Sequence, residues 1–219
     1  MQAQAYSGVA CTGQGNPALK LWLNQGEIPN TIGNGYAFYE KWSTSLLAPT
    51  GTKPKVTHNN NNFDTEEREA EEMDLWTCLY SAYRAHDDDS KTAWCEGAAN
   101  DGVGEVMMVS LVEPTPTVKI WAGYGKSATT FQNNNRPRKI KLTVLSAQMF
   151  GFSTSEQNSM TAKVIATGDA ELKDVNGYQI VTLPAYNLAD RDHKVLVAIE
   201  ILSVYPGSKF NDACVSEIR

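Results

Sequence analysis

The feature that most limits the fold of this 219-residue chain is a series of short β-type runs that starts after residue 73. Gly104–Val112 and Thr117–Trp121 come first, followed by Lys139–Leu145, Met160–Ile165, Tyr178–Leu183 and Val195–Val204. Lys139–Leu145 alternates strictly at its start, the mark of a strand with one wet and one buried face. Turn residues separate the runs, and Asn176-Gly177 between two of them is a hairpin signal. Six strands at this spacing, with no long amphipathic helix, predict an all-β sandwich or barrel. No repeat of 20 to 50 residues is visible, which removes solenoids and propellers. Hydrophobic residues make up 42% of the chain, enough to fill such a core.

The first 72 residues read differently. Breakers at Gly26, Pro29, Gly33 and Gly35 forbid a long helix. Short helical or extended pieces are expected around Leu19–Leu23 and Tyr36–Leu47. His58-Asn59-Asn60-Asn61-Asn62 is a polar tract, and Asp64, Glu66, Glu67, Glu69, Glu71, Glu72 and Asp74 follow it with only Arg68 between. Like charges repel and stay solvated, so residues 55–72 read as an acidic linker or exposed loop. The expected organisation is an N-terminal turn-rich extension over 1–72, a surface for a possible protein partner, and a sandwich over 73–219.

The net charge of −6 argues against a phosphate-backbone binder, so no nucleic-acid partner is expected. No run of 18 apolar residues exists, so no membrane span is expected. The start Met1-Gln2-Ala3-Gln4-Ala5-Tyr6 contains no visible signal peptide. Cys11, Cys78, Cys95 and Cys214 are widely spaced, and His58, His86 and His193 are scattered, which leaves little basis for a zinc site. Four such cysteines form either two disulfides in an oxidising compartment or four buried thiols in a reducing one. Spacing does not choose among the three possible pairings.

Three motifs carry chemistry. Gly123-Tyr124-Gly125-Lys126-Ser127 contains a G-K-S tripeptide, but a phosphate-binding loop needs glycine where Ile120 stands, and a helix behind it. H-E-x-x-H and G-x-S-x-G are absent, so hydrolase templates find no foothold. Ala85 to Thr92 concentrates oxygen ligands, which suits calcium or a plain solvated turn. Asn133-Asn134-Asn135-Arg136 offers amides and a guanidinium fork, which suit sugar hydroxyls, anions or a polar turn.

Three segments together carry a family resemblance. They are Thr92-Ala93-Trp94-Cys95-Glu96-Gly97 with Asp101-Gly102-Val103-Gly104-Glu105, then Gly123 to Ser127 with Phe131 and Asn134-Asn135-Arg136, and finally Val204 to Ile218. Their order and spacing resemble the NADase-type glycan-binding domain. This discoidin-like module serves as the translocation domain of the streptococcal NAD glycohydrolase toxin and recurs in bacterial exported proteins. The likeness covers roughly residues 75–219. It implies a jelly-roll β-sandwich of the galactose-binding-like class, in a secreted or cell-envelope protein, with an adhesive or binding role and no enzymatic one. The alternative it leaves is an envelope structural or protein-interaction module without sugar affinity.

The resemblance also implies site residues. Such sandwiches often hold one structural calcium between an Asp-Gly-Asp-x-x-Thr turn and a glutamate of the last strand. The matching positions are Asp87, Asp89, Thr92 and Glu217, with Asp88 where glycine is usual. Cys95 and Cys214 sit in matching blocks at the sandwich end, which implies a Cys95–Cys214 disulfide and leaves Cys11–Cys78 for the extension. Tyr124, Lys126, Phe131, Asn134, Asn135 and Arg136 are the implied glycan contacts. Trp121 could face either way, and Trp94 reads as core.

Overall fold

The computed structural model describes residues 11–55, 63–152, 157–188 and 193–219. The polar tract at 58–62 and the chain start lie outside the described residues. Among the described residues nine strands form two antiparallel sheets. Strands β1 (Glu27–Asn34), β3 (Val106–Ser110), β5 (Arg136–Phe152), β6 (Gln157–Glu171) and β8 (Lys194–Tyr205) make the larger, in the order β1-β6-β5-β8-β3. Strands β2 (Trp94–Cys95), β4 (Thr117–Ala122), β7 (Gln179–Thr182) and β9 (Cys214–Ile218) make the smaller, in the order β2-β9-β4-β7. The β-sandwich expected from the run pattern is therefore present, and every one of the six runs contributes a strand.

The core runs between the sheets and past one of them. Val118, Ile120 and Ala122 of β4 point inward, while Thr117, Lys119 and Trp121 alternate outward. Strand β8 behaves differently: Val195, Leu196, Val197, Ala198 and Ile199 are all buried. A strand covered on both faces reads as a continuous apolar run. The second cover comes from the N-terminal segment, whose Leu19, Ile28, Phe38 and Trp42 belong to the same apolar cluster. Each such fully buried side chain contributes roughly 1.5–3 kcal/mol.

That segment contributes more than turns. Its helix α1 (Leu19–Gln25) ends at Gly26, and β1 then joins the larger sheet by pairing with β6, from Glu27 opposite Lys163 to Asn34 opposite Gln157. Pro29 sits where the register shifts between Ile28 and Thr31, so its missing N–H costs no ladder bond there. A 3₁₀ turn over Gly35–Trp42 follows, and Ser43 bridges to Met107 of β3. The buried Glu40 carboxylate holds the segment at 12–15 by accepting from the backbone N–H groups of Thr12, Gln14 and Gly15 and from the Thr12 hydroxyl, at 2.8–3.3 Å.

Three expectations need correction. Residues 63–72 are not a loop but part of helix α2 (Phe63–Thr77). Glu, Ala, Arg and Met are strong helix formers, and Asp64 and Glu66 lie in the first turn where the helix dipole favours acids. Trp76 Nε1 donates to the Thr50 carbonyl, which pins the far end. Second, Asn176-Gly177 does not close a hairpin, because β6 and β7 belong to different sheets and β7 pairs with β4. Third, a helix does follow the G-K-S segment: α3, Ala128–Asn133, only six residues long. Ile120 remains a buried β4 residue, so the phosphate-loop reading still fails.

Both disulfides are formed: Cys95–Cys214 joins paired residues of β2 and β9, and Cys11–Cys78 ties the N-terminal segment to the residue after α2. Replacing Cys95 and Cys214 together by serine should lower unfolding free energy by about 4–5 kcal/mol in the chain-entropy account of a loop this long. Urea titration of the variant measures this, and an unchanged midpoint would contradict it.

Candidate functional site

The 123–136 loop leaves β4 at Gly123, whose φ is 105°. A Cβ there would lie 2.7 Å from Arg136 Cγ and 2.8 Å from the Phe131 ring, so only glycine fits. Ser127 caps α3 in a capping box with Thr130. The helix brings Phe131 inward, and the chain then runs along buried Asn134, Asn135 and Arg136 into β5.

The implied glycan contacts have mostly internal partners. Asn135 Nδ2 donates to the carbonyls of Asn211 (2.6 Å) and Asp101 (3.2 Å), while its Oδ1 accepts from Gly207 N–H (2.7 Å). One amide thus joins three loops at this end of the sandwich. Arg136 grips the Asp174 carboxylate with Nε (2.7 Å) and Nη2 (2.9 Å). Its Nη1 donates to the carbonyls of Asn134 and Pro206, and its guanidinium lies 5.2 Å from the Phe131 centroid. Asn134 Nδ2 donates to Thr130 O. Tyr124 is half-buried, edge-on to Tyr80, and burial pushes its phenol up from the ordinary value. Lys126 is exposed.

The acidic turn lies beside the last strand. Asp88 has φ 64°, the left-handed geometry glycine would supply, and is the one non-glycine with positive φ among the described residues. Thr92 Oγ1 has Asp89 O at 2.7 Å, the Asp87 carboxylate at 2.8 and 3.0 Å and Arg84 O at 3.1 Å. A hydroxyl has one proton, so this is a gathering of oxygens beyond what hydrogen bonding alone uses. The Asp89 carboxylate accepts from Lys91 N–H, and Arg84 Nη1 pairs with Asp87 at 3.2 Å.

Glu217 faces this turn from β9. It is fully buried, and neither carboxylate oxygen has a hydrogen-bond partner among the described residues. Burial pushes its pKa up to about 7; Arg219, with Nε 3.8 Å away, opposes the shift, and the Asp87 and Asp88 charges add to it. The Asp88 backbone N–H also opposes it without reaching hydrogen-bond geometry. His86 Nδ1 to Ile218 O (2.8 Å) and Arg219 Nη2 to Asp88 O (3.2 Å) clamp turn and strand together. Among the described residues no three His, Cys, Asp or Glu side chains converge on one metal position. A hard cation held here would need the hydroxyl and backbone carbonyls as well as Asp87 and Glu217, a donor set that suits calcium.

Two features were not read from the sequence as site residues. Glu96, the residue after β2, is fully buried and accepts from Ala213 N–H (2.9 Å) and Ala98 N–H (2.7 Å), bracing the end of the sheet beside the disulfide. Burial pushes it up to about 7. The second is an aromatic corner on the outer face of the smaller sheet. Trp121 pairs with Glu217 on one side, and Tyr178 stands next to it on the other, ring centroids 5.0 Å apart at 75°. Trp121 Nε1 donates to Asn176 Oδ1, and the Arg219 guanidinium lies 5.3 Å from the Tyr178 centroid. Gly125 allows the contact, since a Cβ there would meet the indole at 2.7 Å. Tyr178 is 39% exposed and Ile180, two residues on, 74%.

Comparison with known families matches residues 58–219 to the NAD glycohydrolase translocation F5/8 type C domain. The chain belongs to this family. Membership makes it a module of translocation or binding type, and with two disulfides it fits an extracellular setting. No curated protein matches. Among solved structures, the arabinofuranosyltransferase AftD from Mycobacteria is similar in two classes of one mutant seen by single-particle cryo-EM. Identity is 12% in both, with TM-scores of 0.33 and 0.34, covering 64% and 86% of this chain. The chain spans about a tenth of that protein, 9% and 11%. Among the described residues no helix is long and apolar enough to cross a membrane.

Replacing Arg136 by alanine should cost about 2–3 kcal/mol, since it leaves buried carbonyls and Asp174 without their donor. Lys126→Ala should stay within about 0.5 kcal/mol. Urea midpoints of the two variants measure the difference, and equal midpoints would remove Arg136 from its bracing role.

Proposed function

We propose that this F5/8 type C module is a non-catalytic binding unit of an exported bacterial protein that recognises carbohydrate at a cell surface. The observation that supports it best is the Trp121–Tyr178 corner. Sugar rings present apolar C–H faces to aromatic rings and hydroxyls to charged forks and amides. Tyr178, Ile180 and the exposed part of Trp121 offer the first. Arg219, Asp88 and Lys126 offer the second, next to the loop expected to bind. In this reading Phe131, Asn134, Asn135 and Arg136 build the loop, and Tyr124 and Lys126 are its outward members.

Calcium has a structural place in the same proposal. Asp87, Thr92 and Glu217 would hold it, with Asp89 contributing its carbonyl, and the bound ion would neutralise a carboxylate that is otherwise buried without a hydrogen bond among the described residues. A second reading, a protein-interaction module, is favoured by one observation: α2 carries seven acids and one base, equal to the whole net charge of −6. A basic partner would be drawn to that helix.

On a glycan array, the wild-type protein should retain one class of carbohydrate, and Tyr178→Ala should weaken retention at least tenfold with an unchanged melting temperature. A wild-type protein that binds no glycan turns the assignment to the interaction module. For the ion, adding calcium after EDTA should raise the melting temperature. The gain should be larger at pH 8 than at pH 6. Without the ion, Glu217 with its raised pKa destabilises the fold as pH rises through about 7, and the ion needs the ionised form. Asp87→Ala should abolish the gain, and a melt indifferent to calcium refutes the site.

A further inference from the structure

A cavity of about 470 Å³ opens at the seam between the N-terminal segment and the sandwich. One wall is aromatic: Tyr39 packs against Trp42 (centroids 5.1 Å apart) and Tyr83 (5.4 Å). Met108 lies buried within, and Met149 and Val112 are exposed at the rim, 36% and 79%. Methionines flanking an aromatic wall make an adaptable apolar receptacle. The volume falls in the range of small-molecule sites.

Its charge is one-sided. His86 and the exposed Lys194 line the cavity, and none of the described lining residues is acidic, in a chain with six more acids than bases. Polar groups along the seam are also under-satisfied. Trp42 Nε1, Ser81 Oγ and Arg84 Nε are buried without a hydrogen-bond partner among the described residues. The Tyr39 phenol, raised by burial, reports the same dry surroundings.

We infer that this cavity binds a small organic anion with an aromatic body, the rings lying against Tyr39, Trp42 and Tyr83 and the anionic head meeting Lys194. Apolar walls supply the burial, and Lys194, with no acid among the described lining residues, selects the charge. This site is separate from the Trp121–Tyr178 corner and does not depend on the carbohydrate reading.

The probe is 8-anilinonaphthalene-1-sulfonate, titrated into the oxidised full chain at pH 7.5. Its uncharged relative N-phenyl-1-naphthylamine is run in parallel. The expected result is saturable binding of one sulfonate per chain, with energy transfer from tryptophan. Lys194→Met should weaken the sulfonate about tenfold and leave the neutral probe unchanged. Met149→Trp, which fills the rim, should weaken both. If that variant melts early, Val112→Trp takes its place. Loss of both probes equally in Lys194→Met overturns the anionic assignment. Absence of saturable binding, or unchanged binding in the filled variants, overturns the site.

Discussion

The pairing of β9 between β2 and β4 is the interaction on which the rest of the structure depends. All five of its residues are buried. Cys214 is bonded to Cys95, Gly123 N–H donates to Cys214 O, and Ser216 Oγ accepts from Gly125 N–H at 2.7 Å. Glu217 meets the acidic turn, and Ile218 O meets His86. The three sequence blocks that carry the family likeness are therefore three sides of one strand's surroundings. Their chemical character follows from that position: glycines where the backbone approaches closely, a cysteine where a covalent tie fits, and carboxylates where backbone donors must be satisfied.

Bracing and recognition compete for the same residue types. An asparagine or arginine in a loop can serve a ligand or the loop itself, and composition does not distinguish them. Asn135 and Arg136 have their donors directed to backbone carbonyls and to Asp174, and both are buried. Solvent-facing rings stand instead on the outer sheet face, at Trp121 and Tyr178 with Arg219 beside them. In the proposed carbohydrate reading, rings held on a braced scaffold would limit the ordering cost of binding.

Much of the fold was legible because the strands keep simple periods. Thr117 to Ala122 alternates polar and apolar, and the structure turns Val118, Ile120 and Ala122 inward. The same alternation places Trp121 on the outward face. Strand β1 was not legible, because Pro29 and the surrounding glycines carry breaker signals that edge position and a register shift tolerate. Helix α2 was hidden by its charge, since propensity and the tie at Cys78 outweighed repulsion. Asn176-Gly177 misled because turn chemistry sets a local reversal and says nothing about which sheet the next strand joins. Glu96 was not legible, since a lone glutamate just past a two-residue strand has no sequence mark of burial.

The ties described between β2 and β9, and between β1 and β6, join residues more than 100 positions apart: 119 separate Cys95 from Cys214, and Glu27 pairs with Lys163. Contacts of such high order form late, because the entropy of closing each long loop is lost before any burial rewards it. Such a topology places the chain among slow folders, and the Cys95–Cys214 bond seals a strand pairing that long loop closure delays.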